Sequence, residues 1–197
     1  MNAKDMLDFL VSVLGIGGIL FGVYQYQQAQ KWKRLEFAAS QLQRLTSVPE
    51  LALAGMFLNY SKRGIPLPES YWEYAGTKVF EHDCQTMYRI MVTRYENKPE
   101  FFIYVDTFEH LFEYLVQIHA FIDMKLIRAN DIKSLRWILD DLAKPHWIDD
   151  NRVFIGRISM GFSDILKLMD MFGIEHAAEM SREQVLMMDQ EYSEATT

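Results

Sequence analysis

The hydropathy pattern begins with an uncharged apolar run, Phe9 to Tyr24, that reads Phe-Leu-Val-Ser-Val-Leu-Gly-Ile-Gly-Gly-Ile-Leu-Phe-Gly-Val-Tyr. Counted from Met6 across Asp8, the segment would form a helix of roughly 28 Å at 1.5 Å per residue, close to a bilayer's hydrocarbon thickness. The pattern predicts a nearly upright transmembrane anchor over residues 1–26. Lys31, Lys33 and Arg34 follow the run, with Trp32 among them and Tyr24 and Tyr26 at its edge. Before it, Lys4 and the amino terminus are offset by Asp5 and Asp8. Positive charge and an aromatic belt on the C-terminal flank place that side in the cytoplasm and the N-terminus outside. A cleaved signal peptide carries its charge on the opposite flank. The competing reading is a helix buried in a soluble core.

No proline interrupts the chain before Val48, and Leu35, Ala38, Ala39, Leu42 and Leu45 keep helical spacing. The anchor is therefore expected to continue as one rod through residues 27–46. Ser47-Val-Pro-Glu50 reads as a new helix start with Ser47 as N-cap, opening a helical domain over 47–173. Its first helix ends near Asn59, and a loop follows from Ser61 to Ser70. Ser70 and Glu73 open a further segment, and Thr77 to Arg94 reads as a helix. Pro99 to Met124 is the strongest helix, with Val105, Phe108, Phe112, Leu115, His119 and Ile122 on one stripe. Lys125 to Asn130 makes a turn, Asp131 to Lys144 returns antiparallel, and Asn151 to Phe172 ends at Gly173. No strand-like alternation of useful length is visible. The fold class expected is all-α, a helical bundle on an anchored stalk.

Within the anchor, Asp8, Ser12, Gly15, Gly18, Gly22, Gln25 and Ala29 recur at steps of three and four and so share one helix face. Gly18 and Gly22 form a GxxxG pair, which lets two backbones approach closely in lipid. That face predicts self-association, either as a packing seam or as the wall of a ring of anchors with Asp8 at its outer mouth.

The formal charge of −7 argues against a protein built around nucleic-acid phosphates. Residues 174–197 hold six acids against Arg182, a net of −5, so the rest of the chain carries only −2. That acidic segment is a solvated face or tail, or a place where a protein partner docks. Cys84 is the single cysteine, which leaves no intramolecular disulfide and no thiolate metal cage. His82-Asp83-Cys84 brings a histidine and the thiol together, yet the spacing fits no common zinc pattern. His119, on the apolar stripe, reads as a satisfied core histidine. A helical ribonuclease would need an arginine four to six residues before a histidine, and none of the five histidines has one. Phosphate-cradling loops and hydrolase motifs are missing too, so neither enzyme, cofactor nor metal is predicted.

The stretches Trp32-Lys-Arg-Leu-Glu-Phe-Ala, Ala54-Gly-Met-Phe-Leu-Asn-Tyr and Asp106-Thr-Phe-Glu-His-Leu-Phe, continued at Lys125-Leu-Ile, resemble a poorly characterised family of bacterial single-pass, membrane-anchored helical proteins. Asn59 stands where that family tends to have Asp. The resemblance implies a location in the bacterial inner membrane and no catalytic residues. The plan is also similar to that of the membrane pore protein accompanying some RNA-targeting CRISPR nucleases, a likeness of architecture alone. The function expected is a self-associating membrane protein, a pore-forming or membrane-perturbing defence effector. The alternative is a tether whose cytoplasmic domain docks a protein.

Overall fold

A computed structural model describes residues 3–93, 99–144 and 152–176, with the side chains of the first helix described from Leu14 onward. Helix α1, Ala3–Ser47, is a single unbroken helix of 45 residues. At the helical rise it is about 68 Å long. Among the described residues, its C-terminal third packs on the rest of the molecule. There Ala38 and Gln41 are buried, and Phe37 meets Phe121 edge-on at 5.1 Å. Tyr114 also donates its hydroxyl to the Gln41 carbonyl at 3.0 Å.

Ser47 is the last residue of α1 rather than an N-cap. Helix α2, Pro49–Asn59, starts after Val48, which makes no side-chain cap. The backbone bonds Val48 N–H to Arg44 O and Ala52 N–H to Val48 O carry the chain across the joint almost without interruption. Proline at the first position of α2 needs no donor partner, so a helix restarts directly behind a helix. Glu50, read as the capping acid, instead accepts from Ser70 Oγ at 3.1 Å.

The predicted loop and the predicted helix that follows it are corrected together. Lys62–Pro66 is strand β1 and Val79–Asp83 is strand β2, antiparallel in the register Lys62↔Asp83 to Pro66↔Val79. Between them lies helix α3, Glu69–Ala75, which starts from Pro68 with no side-chain cap, so Ser70 and Glu73 do not act as a cap pair. Ile65, Phe80 and His82 point inward, giving β2 a period of two that a buried histidine hides from a hydrophobicity reading. Helix α4, Cys84–Thr93, follows at once. Asp83 caps it, accepting from Thr86 N–H at 3.2 Å and Thr86 Oγ1 at 2.7 Å.

Helix α5, Pro99–Asp123, is the central element. Its stripe residues Phe108, Phe112, Leu115 and His119 are buried, and so are Ile103, Tyr104, Leu111, Tyr114 and Ile118. With neighbours on most sides, it is the axis of the core rather than an amphipathic edge. A 3₁₀ turn, Ala129–Leu135, and helix α6, Arg136–Ala143, form the return that follows. Helix α7, Arg152–Met171, is broken at Phe162, whose non-helical backbone turns its ring toward Phe112 at 5.2 Å. It ends in a Schellman motif, with Ile174 N–H to Met169 O, Gly173 N–H to Asp170 O and Gly173 at φ 63°. The molecule is mainly helical, with one two-stranded sheet among the described residues.

Candidate functional site

Two features lie outside the buried core. The first is the projecting part of α1. Leu14, Ile16, Ile19, Leu20, Phe21 and Val23 are each 50–74% exposed, although their positions spread over roughly two-thirds of the helix circumference and leave free only the glycine face. So broad an apolar surface on a helix is normally covered by protein or lipid. Cβ atoms added at Gly15, Gly18 or Gly22 would meet nothing within 4 Å, so the small-residue face is open. Gln25 is exposed on the same helix, while Asp8 and Ser12 lie outside the described side chains.

The second feature lies where α1 enters the domain. A groove of about 770 Å³ runs between α1 and the segment after α5, walled by Tyr26, Gln27, Gln30, Lys31, Lys33, Arg34, Phe37, Lys125, Leu126 and Arg128. Five of these side chains are cationic and none is a carboxylate. The groove is held by one acid behind its wall: Asp131 Oδ2 lies 2.7 Å from Arg34 Nε and accepts the Arg128 backbone N–H at 3.0 Å. The arginine contact is an ion pair rather than an aligned hydrogen bond. Asp131 thereby ties a residue of α1 to the start of the 3₁₀ turn. Tyr24 accepts from Gln28 Nε2 at 3.1 Å, and Trp32 is exposed on the far side of the helix from the groove.

The histidine–thiol pair turns out to be part of the core. His82 is 1% exposed and stacks on Phe57 with ring centres 5.0 Å apart. Its Nε2 lies 2.7 Å from the Tyr60 carbonyl, which fixes the proton on Nε2, so Nδ1 accepts from the Tyr104 hydroxyl at 3.0 Å. That hydroxyl also accepts the Asp83 N–H at 3.3 Å. Burial holds the imidazole below its ordinary pKa and pushes the Cys84 thiol up, so neither is poised for nucleophilic chemistry near neutrality. His119 is likewise buried, with Asp123 and Asp164 carboxylates at 3.7 and 3.8 Å. Among the described residues no group of three or more His, Cys, Asp or Glu could hold a metal ion.

No protein-family model, curated protein or solved structure matches this chain. The site is accordingly read from its own geometry. Of the residues singled out in the sequence, Tyr26, Lys31, Lys33 and Arg34 come together in the groove wall, while Gly15, Gly18, Gly22 and Gln25 lie farther out on α1. Lys125 and Arg128 were missed. Their signal was present in Lys125-Leu-Ile-Arg128, where cations flank exposed Leu126 and buried Ile127, but nothing local says that this turn lies beside α1. Among the described residues no helix is long and apolar enough to cross a membrane. The described apolar part of α1, Leu14 to Val23, would cover only about 15 Å at the helical rise. The remainder of the run, from Met6, lies outside the described side chains. Residues 177–197, most of the acidic segment, also lie outside the described residues.

Proposed function

We propose that this chain is a non-enzymatic, membrane-anchored protein that self-associates through α1, with its helical domain on the cytoplasmic side. The observation that carries the reading is the projecting half of α1, whose large apolar side chains cover roughly two-thirds of its circumference and stay 50–74% exposed. Burying six such side chains releases on the order of 10 kcal/mol, at about 1.5–3 kcal/mol each. A lipid phase accepts them on every side, whereas a second copy covers only one. Tyr24 and Tyr26, then Lys31, Lys33 and Arg34 with Trp32 among them, follow in the order expected of an interface.

At 100° per residue, Gly15, Gly18, Gly22 and Gln25 are centred roughly 130° round the helix from the groove-facing Gln27, Gln30 and Arg34. Anchors converging along the glycine face therefore leave the groove accessible. The resemblance to anchored bacterial proteins extends the reading to a pore-forming or membrane-perturbing defence effector in the inner membrane.

The test combines two measurements on the full chain. Membranes washed with alkaline carbonate should retain the protein, and mass photometry in detergent should show more than one protomer. Release by carbonate removes the anchor, and a single protomer removes the assembly. Gly18→Leu and Gly22→Leu should loosen the assembly. Because a Cβ at either position meets nothing within 4 Å among the described residues, that effect reports contact between chains.

A further inference from the structure

We infer that the groove between α1 and the Met124–Arg128 segment binds the headgroup of an anionic phospholipid, so that the domain is seated on a negatively charged bilayer face. The inference rests on the membrane reading above and names the lipid class that reading leaves open.

Charge is the first ground. Lys31, Lys33 and Arg34 come from α1, and Lys125 and Arg128 from a segment about ninety residues later. Among the described residues no ion pair involves Lys31, Lys33 or Lys125, and the single acid behind the wall is matched by Arg34. The second ground is that the arrangement is fixed in advance. The Arg34–Asp131–Arg128 link and the Phe37–Phe121 contact hold both walls, so cations that would repel one another are kept together.

The backbone supplies a third ground. Helix α5 ends in a Schellman motif, with Leu126 N–H to Phe121 O and Lys125 N–H to Ile122 O. The left-handed position of that motif usually holds glycine, yet here it is Lys125 at φ 59°. A strained backbone position is thus occupied by a cation at the mouth of the groove. On either side of it Met124 and Leu126 are 59% and 47% exposed, so the tip is apolar and basic at once, the composition of a segment that enters a headgroup layer.

Position selects the occupant. The groove begins at Tyr26, about 3 Å beyond Tyr24 along the helix, and Lys31 lies about 10 Å beyond it. Lysine stems reach back toward the lipid while their ammonium groups stay with the phosphates. Basic pockets at this level of a membrane helix suit phosphodiester headgroups. A nucleic acid offers the same phosphates, but it gives no place to the apolar Met124 and Leu126.

The full chain in nanodiscs of mixed zwitterionic phosphatidylcholine and anionic phosphatidylglycerol or cardiolipin provides the test, with native mass spectrometry reading which lipids stay bound. The wild type should retain anionic lipid preferentially. Each basic residue neutralised should lower that preference about fivefold, so Lys125→Gln with Arg128→Gln should lower it on the order of 25-fold. Lys31→Gln with Lys33→Gln provides an independent pair on the other wall. Equal retention of both lipid classes overturns the inference, as does a preference unmoved by both pairs. Displacement of the lipid by inorganic phosphate, or tighter capture of a single-stranded oligonucleotide than of lipid, also overturns it. Carbonate washing of the same variants separates the two readings. Loss of lipid preference with retention in the membrane leaves the anchor standing. Release of the wild type sinks the anchor, and flotation with anionic but not zwitterionic vesicles then decides the headgroup site alone.

Discussion

The Arg34–Asp131 pair fastens α1 to the segment that forms the opposite wall of the groove, and its strength can be worked out. At 2.7 Å, two unit charges attract by roughly 6 kcal/mol with an effective dielectric of ~20. The arginine side chain is 20% exposed and the aspartate 8%, so desolvation and water screening remove most of that. The Nε–H axis is also off the oxygen, which places the net coupling at about 1–2 kcal/mol. Asp131→Asn keeps an acceptor for the Arg128 N–H and loses only the charge, whereas Asp131→Ala loses both. Alanine should therefore cost about 0.5–1.5 kcal/mol more than asparagine. A double-mutant cycle with Arg34→Gln and Asp131→Asn, measured by urea unfolding in detergent, isolates the charge pair. For a chain of this size each kcal/mol appears as about 2–4 °C in melting temperature. Hydrogen exchange should quicken at Met124–Arg128 in Asp131→Ala before it does in α2. A coupling energy below ~0.3 kcal/mol, within the additivity of independent sites, would show that the ion pair does not hold the wall.

Tyr104→Phe should cost about 2–3 kcal/mol, because it leaves the His82 Nδ1 and the Asp83 N–H without their shared partner. An unchanged denaturation midpoint would show that the Tyr104 hydroxyl does not satisfy these two buried groups. His82 is held below its ordinary pKa in the folded chain and returns to about 6.5 when unfolded, so its contribution is complete above pH ~6.5. Stability should then fall as pH drops from there to the folded value, by up to about 1.4 kcal/mol per pH unit, and His82→Phe should flatten that slope. Gly173→Ala, at a left-handed φ of 63°, should cost about 1 kcal/mol and shorten α7 by a residue or two in its exchange pattern. The cost should be absent at Gly161, where a methyl meets open space and the backbone is not left-handed.

What the sequence revealed depended on whether the signal was local. The rod, α2, α5 and the end of α7 at Gly173 follow from proline spacing, apolar periodicity and one glycine. The strands did not show because each is five residues long. One of the two inward positions of β2 is a histidine, and α3 replaces the tight turn that would announce a hairpin. Ser47 misled for a related reason: a serine before Val-Pro reads as a cap, but the helix behind it does not stop. Half of the groove was visible as Lys31, Lys33 and Arg34. The other half depends on long-range packing through Phe37, Phe121 and Asp131, which no window of sequence contains.

The joint at Val48 gives the rod a mechanical character. With a single residue between α1 and α2, no slack separates them, and α2 carries Leu53, Ala54 and Phe57 into the centre of the core. If the rod pivots where Phe37 packs, the outer arm to Leu14 is about 35 Å and the inner arm to Ser47 about 15 Å. Tilting by about ten degrees would carry Leu14 through ~6 Å and Ser47 through less than half of that. The chain is thus geared like a lever, in which a small shift of α2 becomes a large sweep at the far end.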